Sequence, residues 1–228
     1  MSKKKKHRQG GLELQAIKPK TRAQENVFSS YENQKNIIMA GSAGTGKTFL
    51  ALYLALEDIL LSNSPREEIK IFRSSVPTRD MGFLPGNMAE KLAAYECPYI
   101  AMMNELFNCG TAYASLKAQN RVEFISTSFN RGITINDAVI IVDEAQNMTD
   151  HEISTILTRM GQDTRILICG DSFQVDLNTH REQSGLGTMI KIAEIMEDDF
   201  DIIRFTPDDI VRNDLIKRYL KARIRLGV

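Results

Sequence analysis

The 228-residue sequence has no apolar run close to the ~20 residues that a membrane-spanning helix needs. Its first residues also lack the pattern of a secretory signal peptide, so we expect a cytoplasmic protein that does not act on membranes. Only three cysteines are present, and they form neither a Cys-x-x-Cys pair nor a cluster with the three histidines. These absences argue against a disulfide framework and against a Cys/His metal site.

A net charge is missing as well, because 29 basic and 29 acidic side chains cancel. Their distribution is uneven: residues 1–22 carry eight Lys/Arg and one acid, and residues 212–228 carry six Lys/Arg and one acid. Residues 23–211 therefore hold 15 basic and 27 acidic side chains. Two basic ends could bind a phosphate backbone, or they could be a solubilising tail and a solvated helix face. Charge alone leaves both alternatives open.

The bulk composition, with 43% hydrophobic and 25% charged residues, is typical of a globular protein. We expect a disordered basic tail over residues 1–16, since a block of like charge without apolar periodicity does not fold alone. Residues 17–228 have the length of a single domain. The segment from about 74 to 116 is predicted to be a helical insertion in that domain.

A phosphate-binding motif lies near the start of this domain, with the pattern Gly, four free positions, Gly, Lys, and Ser or Thr. Its glycines let backbone N–H groups surround a phosphate without a Cβ in the way. We expect Lys47 to reach the β- and γ-phosphates of ATP, and the Thr48 hydroxyl to bind Mg²⁺. The predicted nucleotide-binding residues are Gly41, Ser42, Ala43, Gly44, Thr45, Gly46, Lys47 and Thr48.

Short β-branched runs alternate with helical segments along the chain. Strands are predicted over 36–40, 69–73, 122–125, 138–142, 165–169 and 201–205. Helices are predicted from Thr21, over 49–61, from Thr149 to near Gly161, over 187–196 and from Thr206 onward. The alternation predicts an α/β fold with one doubly wound, mostly parallel sheet. Together with the phosphate-binding motif, such a sheet is typical of the P-loop NTPase (RecA-like) type. The aromatic and methionine side chains of the insertion either pack on the core or form a surface for stacking bases.

Polar residues follow two of the predicted strands, at the sheet edge where parallel α/β proteins bind ligands. Asp143 is expected to be the second Mg²⁺-binding side chain. Glu144 is one residue further on, within reach of the water that attacks the γ-phosphate, and this acidic pair favours hydrolysis over transfer to a metabolite. Gln174 could hydrogen-bond the γ-phosphate or this water, or could be a loop glutamine that faces solvent.

Besides the motif, the sequence contains several separated blocks at 82–86, 131–137, 143–147, 157–161, 170–177, 183–186 and 209–212. With these blocks it resembles the PhoH family of P-loop ATPases, whose core is similar to one half of a superfamily 1 helicase. The resemblance runs from about Lys18 to Leu226, and departs from the family's usual residues at Ser42, Ser74, Ile133 and Asn213. Without an appended domain, the chain resembles phage members of the family, which would place it in a host cytoplasm.

The resemblance also implies roles for side chains whose local pattern is ambiguous. Gln24 fits a capping box with Thr21, but helicase-like ATPases place an adenine-binding glutamine at this point. A single core leaves the γ-phosphate open on one side. In many such enzymes an arginine on that side stabilises the negative charge that develops in the transition state of hydrolysis. We therefore predict a ring or other head-to-tail homo-oligomer in which a neighbouring subunit supplies that arginine. Arg212 is the first candidate, and Arg159 and Arg131 are the next two.

Two functions remain open. The first is a Mg²⁺-dependent ATPase, with possible helicase-like activity, that binds or remodels RNA or single-stranded DNA. The second is an ATP-driven conformational switch that acts on a protein partner without nucleic acid. The motifs support hydrolysis in both cases, and the basic ends favour the first.

Overall fold

A computed structural model describes residues 8–9, 11–74, 88–127, 132–171, 184–212 and 214–226 of the chain. At its centre is a six-stranded sheet in the order β5-β4-β6-β7-β3-β8, with every neighbouring pair parallel. Its strands are β3 (Asn36–Gly41), β4 (Glu68–Arg73), β5 (Val122–Ser126), β6 (Ala138–Asp143), β7 (Arg165–Gly170) and β8 (Phe200–Phe205). All six strands predicted from β-branched runs are confirmed.

Helices cover both faces of this sheet, and alternate residues of each strand point to opposite faces. Ile37 and Met39 join the core with helices α1 to α4, whereas Ile38 and Ala40 join the core with α5 and α6. A strand buried on both faces has no polar side, which explains the continuous apolar runs in the sequence. The helices are α1 (Arg22–Glu32), α2 (Lys47–Ile59), α3 (Met88–Leu106), α4 (Ala112–Ala118), α5 (Asp150–Leu157), α6 (Gly185–Ile195) and α7 (Asp214–Leu226).

The N-terminal segment is more ordered than its composition predicts. β1 (Arg8–Gln9) pairs with β2 (Leu12–Glu13) in a short antiparallel ladder. Leu14 is buried in the core, and the Gln15 backbone N–H donates to the Leu106 carbonyl at the end of α3. The predicted disorder over residues 1–16 is thus wrong for residues 11–16, because Leu14 packs in the hydrophobic core. Residues 1–7 and 10 lie outside the described residues.

The helical prediction for the insertion is confirmed for its described part, which forms α3 and α4. Tyr99, Met103 and Phe107 are buried, and α3 packs against α2 in the same core. These three side chains therefore cannot serve as a surface for stacking bases. Residues 75–87, which include the Gly82–Gly86 block, lie outside the described residues.

The C-terminal helix begins later than predicted. Thr206 caps only a 3-10 turn, Pro207–Asp209, in which Thr206 and Asp209 form a reciprocal capping box. The chain then leaves helical geometry at the buried Ile210, and the next backbone N–H, of Val211, donates to the Gly44 carbonyl at 3.2 Å. This tertiary contact separates the turn from α7. Within the described residues, no helix is long and apolar enough to cross a membrane.

Candidate nucleotide-binding site

The phosphate-binding loop connects the carboxyl end of β3 to the start of α2. Gly41 packs so closely against β8 that a Cβ at this position would lie 2.1 Å from the Phe205 carbonyl oxygen. Gly46, with φ of 86°, forms the start of α2, and no side chain of the described part of the chain caps this end. The unpaired N–H groups of the first helical turn therefore point into the loop, where an anion is favoured.

Lys47 lies folded across this loop. Its Nζ donates to the Gly41 carbonyl at 2.7 Å and to the Ser42 carbonyl at 2.8 Å. Burial lowers the pKa of the Lys47 ammonium, and the nearby carboxylates of Asp171 and Glu144 oppose that change. The loop also holds an unused polar group, since the buried Ser42 Oγ has no hydrogen-bond partner among the described residues. The loop thus has both a cation and free donors for an anionic ligand.

The Lys47→Ala variant is expected to lose nucleotide affinity by about 10- to 150-fold, because a hydrogen bond to a charged group contributes about 1.5–3 kcal/mol. Isothermal titration calorimetry with ATP measures this loss. Lys18 is exposed and lines another part of the same cleft, so Lys18→Ala is the matched control. Equal affinities in the Lys47→Ala variant and the parent, with both proteins folded, would contradict the assignment.

Thr48 and Asp143 come together from the two motifs that predict a metal site. The Thr48 hydroxyl donates to Asp143 Oδ1 at 2.8 Å, and the Tyr99 hydroxyl donates to Asp143 Oδ2 at 2.7 Å. Burial raises the pKa of Tyr99, as does the Asp143 carboxylate, so its hydroxyl remains a proton donor. A hydroxyl and a carboxylate are hard oxygen donors of the kind that Mg²⁺ prefers. The residues present fit this ion.

Glu144 has a backbone conformation that few residues other than glycine adopt. Its φ of 53° and ψ of 41° are left-handed, which costs on the order of 1–3 kcal/mol for a residue other than glycine. Gln146 Nε2 donates to Glu144 Oε2 at 2.5 Å, and Gln146 Oε1 accepts from the Asp171 backbone N–H at 2.9 Å. Gln146 thereby ties the end of β6 to the end of β7, and orients the Glu144 carboxylate.

Gln24 combines parts of both interpretations of its sequence context. Its backbone N–H donates to the Thr21 hydroxyl at 3.4 Å, which is one half of a capping box. Its side chain instead accepts from the Lys20 backbone N–H at 2.7 Å and donates to the Thr45 carbonyl at 3.0 Å. The carboxamide is thus fixed against the phosphate-binding loop. The second lone pair of its carbonyl oxygen and the second hydrogen of its NH₂ group could form hydrogen bonds with adenine. Adenine binding by Gln24 stays a prediction.

Arg212 lies over the phosphate-binding loop of its own chain. Its Cγ is 3.1 Å, and its Nε 3.8 Å, from the position that a Cβ on Gly44 would take. The Val211–Gly44 backbone hydrogen bond lies next to Arg212 in the chain. The structure thus offers a role within the same chain as an alternative, and the predicted role of Arg212 in the site of a neighbouring subunit stays a prediction. Arg159 does not line the cleft. Gln174 and Arg131 lie outside the described residues, and the predicted homo-oligomer stays a prediction.

These parts surround a cleft of about 1140 Å³ at the carboxyl ends of β3, β4, β6 and β7. Arg73, at the end of β4, lines it, as do three side chains from α3: Pro98, Met102 and Glu105. Four further residues of the site were not predicted from the sequence: Arg73, Tyr99, Gln146 and Asp171. Gln146 and Asp171 lie within two of the blocks that carry the family resemblance, 143–147 and 170–177, and this was the available signal. Arg73 ends a predicted strand, a position that is informative only once its neighbours in the sheet are known.

The sheet order, the glycine loop between β3 and α2, and the acidic pair at the end of β6 define a P-loop NTPase, the class of proteins that bind nucleoside triphosphates at such a loop.

Within this class, a family model described as PhoH-like protein matches residues 16–223, and the chain belongs to this family. Protein PhoH of Escherichia coli (strain K12) is 34% identical over 209 residues, which are 90% of this chain and 58% of that protein. A PhoH-like protein of Mycobacterium tuberculosis (strain ATCC 25618 / H37Rv) is 32% identical over 210 residues, 92% of this chain and 58% of that protein. The chain thus spans 58% of the length of these two relatives. Both relatives are bacterial, and a phage source stays a prediction.

A solved structure with a similar fold is the large terminase of bacteriophage HK97, with a TM-score of 0.56 and 12% sequence identity. The match covers 92% of this chain and 48% of the terminase. At this identity the likeness concerns the fold alone, and it agrees with the α/β architecture of P-loop NTPases.

Proposed function

We propose that the chain is a Mg²⁺-dependent ATP hydrolase whose activity is coupled to binding of RNA or single-stranded DNA. The observation that carries the hydrolase is the 2.8 Å hydrogen bond between Thr48 Oγ1 and Asp143 Oδ1, with Glu144 next in the chain. It brings the phosphate-binding motif, the metal donors and a carboxylate base to one point of the cleft.

The chain's own groups divide the work of hydrolysis. The N–H groups at the start of α2 and the Lys47 ammonium bind the phosphates, and Lys47 must exchange its loop carbonyls for phosphate oxygens. Thr48 and Asp143 would hold Mg²⁺, which when bound stabilises negative charge on the phosphate oxygens. Glu144, oriented by Gln146, accepts the proton of the attacking water. Gln24 is placed to contact the adenine.

The hydrolase differs from a kinase in what Glu144 does. A kinase has to exclude water from the γ-phosphate. A carboxylate beside the metal donors does the opposite, because it activates a water molecule for attack on that phosphate. The left-handed backbone of Glu144 costs free energy, and it persists because Gln146 and the end of β7 restrain the segment. Strain of this kind at the end of β6 supports a role for the carboxylate in the reaction.

Coupling to a nucleic acid is supported by the position of α7. This helix carries exposed arginines at 218, 223 and 225, and begins two residues after Arg212 in the chain. Its Leu220 Cδ1 lies 3.7 Å from the position that a Cβ on Gly44 would take. A phosphate backbone bound along α7 would therefore shift a helix that packs on the phosphate-binding loop.

A protein partner is the second candidate, because α7 also presents apolar side chains to solvent. Leu215, Tyr219 and Leu226 are 69%, 60% and 75% exposed, and their spacing of four and seven residues puts them on one side of the helix. A protein that covers this stripe could drive the same movement of α7 without any nucleic acid.

Removing the three exposed arginines of α7 separates these candidates. We expect single-stranded RNA or DNA to raise the ATPase rate of the parent, and the triple variant Arg218→Ala, Arg223→Ala, Arg225→Ala to reduce that stimulation. The slope of log affinity against log salt should become shallower by about 2, since each phosphate contact on a single strand contributes about 0.7. ATPase assays and binding titrations across a salt series measure both quantities.

The double variant Lys191→Ala, Arg204→Ala is the control, because it removes two exposed basic side chains from α6 and β8. An equal loss in the control would mean that general charge, and not α7, binds the polymer. If neither RNA nor single-stranded DNA changes the parent's rate at low salt, the nucleic-acid proposal is wrong, and the protein-partner candidate is retained.

A further inference from the structure

A chain of side-chain contacts connects the helical insertion to the predicted metal site. Tyr99, in the middle of α3, donates its hydroxyl hydrogen to Asp143 Oδ2 at 2.7 Å. The other carboxylate oxygen, Oδ1, accepts from Thr48 at 2.8 Å. Tyr99 is fully buried, and Asp143 is 5% exposed. Both oxygens of the Asp143 carboxylate are thus held, one from the phosphate-binding motif and one from the insertion.

Arg73 anchors the tyrosine from its other side. This arginine ends β4, the strand beside β6, and its register partner is Asp143 itself. Its guanidinium interacts with the Tyr99 hydroxyl and lies 5.4 Å from the ring centroid of Tyr95, one turn earlier on α3. Arg73 and Asp143 therefore hold the Tyr99 hydroxyl between a cation and an anion.

A carboxylate that binds a metal through one oxygen gains from a fixed second oxygen, because free rotation would cost entropy at each binding event. Hydrogen-bond donors behind metal-binding carboxylates supply that restraint, and their loss typically lowers metal affinity or activity by about 10–100-fold. The Tyr99 hydroxyl has the geometry of such a donor. Nothing in the local sequence of α3 identifies it, because a buried tyrosine among apolar residues is ordinary core.

We infer that Tyr99 is a positioning residue for the Mg²⁺-binding carboxylate of Asp143. This inference rests on the proposed Mg²⁺-dependent ATPase. The insertion also lines the cleft through Pro98, Met102 and Glu105, so one helix borders the nucleotide and restrains the metal ligand.

The test is the Tyr99→Phe variant, which removes one oxygen and keeps the ring in place. Affinity for the non-hydrolysable analogue adenylyl imidodiphosphate is measured by calorimetry with Mg²⁺ and with EDTA. In the parent, Mg²⁺ should strengthen binding; in Tyr99→Phe, that gain should shrink by about 10–100-fold, with the EDTA affinity unchanged. In ATPase assays, the Mg²⁺ concentration at half-maximal rate should rise by more than the maximal rate falls.

Tyr31→Phe is the matched control, because Tyr31 is also buried and donates to an aspartate, Asp58, at 2.6 Å. Arg165 lies over its ring, with the guanidinium carbon 4.1 Å from the centroid. This second tyrosine–aspartate–arginine group does not line the cleft, so its loss should lower the melting temperature and leave the Mg²⁺ gain intact.

The outcomes separate the inference from the function on which it rests. If Mg²⁺ strengthens binding equally in the parent and in Tyr99→Phe, the positioning role of Tyr99 is wrong and the proposed ATPase stands. The same conclusion follows if Tyr31→Phe loses as much of the gain as Tyr99→Phe, because the effect would then be one of stability. If the parent itself shows no gain from Mg²⁺, the proposed metal site is wrong, and the role of Tyr99 is overturned with it.

Discussion

Replacing Glu144 with glutamine is expected to lower the rate of ATP hydrolysis by about 10²–10⁴-fold, the typical contribution of one general base. The affinity for ATP should stay within a few-fold of the parent's, because Glu144 acts on the attacking water and not on the bound phosphates. Glutamine keeps the size of the side chain and can still hydrogen-bond Gln146, so the restrained turn after β6 should persist. Rates of phosphate release and calorimetric titrations measure the two quantities.

Glu105→Gln is the control, since it removes the same charge from a carboxylate that α3 contributes to the cleft. It should hydrolyse ATP at close to the parent's rate. A Glu144→Gln variant with the parent's rate would refute the assignment of the base. Equal losses in the two variants would attribute the effect to the charge of the cleft as a whole.

Arg212→Ala is expected to have an effect of at least the same size. Arginines that face the developing charge of a transferred phosphoryl group contribute about 10³–10⁵ in rate in well-studied GTPases. We propose that Arg212 has this role within its own chain, because its side chain lies over Gly44 of the phosphate-binding loop. Single-turnover measurements of hydrolysis compare the parent with Arg212→Ala, and Arg218→Ala on the following helix serves as the control.

A mixing experiment decides between an arginine from the same chain and one from a neighbour. Inactive Glu144→Gln and inactive Arg212→Ala proteins are combined under verified subunit exchange, and ATPase activity is measured. If each site uses its own Arg212, no mixed assembly contains a complete site and activity stays absent. Recovery of activity would contradict this expectation and restore the arginine to the neighbouring subunit. The same experiment with Arg159→Ala tests the second candidate.

The accuracy of the strand predictions has a simple physical cause. A strand such as β6, buried on both faces of a parallel sheet, is apolar along its length up to the site residue Asp143, so residues 138–142 are recognisable from their own composition. The phosphate-binding motif is local as well, because its glycines are required where the backbone folds around an anion. Both signals lie within a few consecutive residues and need no knowledge of the rest of the chain.

The errors occurred where a distant contact overrides a local preference. Thr206 and Pro207 are a sound start signal, and a capped turn does form there. The turn ends at Ile210 because the core buries that side chain and Gly44 accepts the next backbone N–H. The basic N-terminal segment likewise has no periodicity of its own, yet Leu14 is buried and Gln15 bonds to the end of α3.

The sequence alone therefore determined the parallel sheet, the phosphate-binding loop, and the residues expected to bind metal and activate water, since each depends on the chemistry of neighbouring residues. Only the tertiary structure decided that Tyr99 and Arg73 complete the site at Asp143, and that the predicted Arg212 lies over Gly44 of its own chain. Tyr99 is 44 positions from Asp143 in the chain. Contacts over such separations depend on how whole helices pack, and a buried tyrosine or a strand-end arginine carries no local mark of the partner that packing will give it.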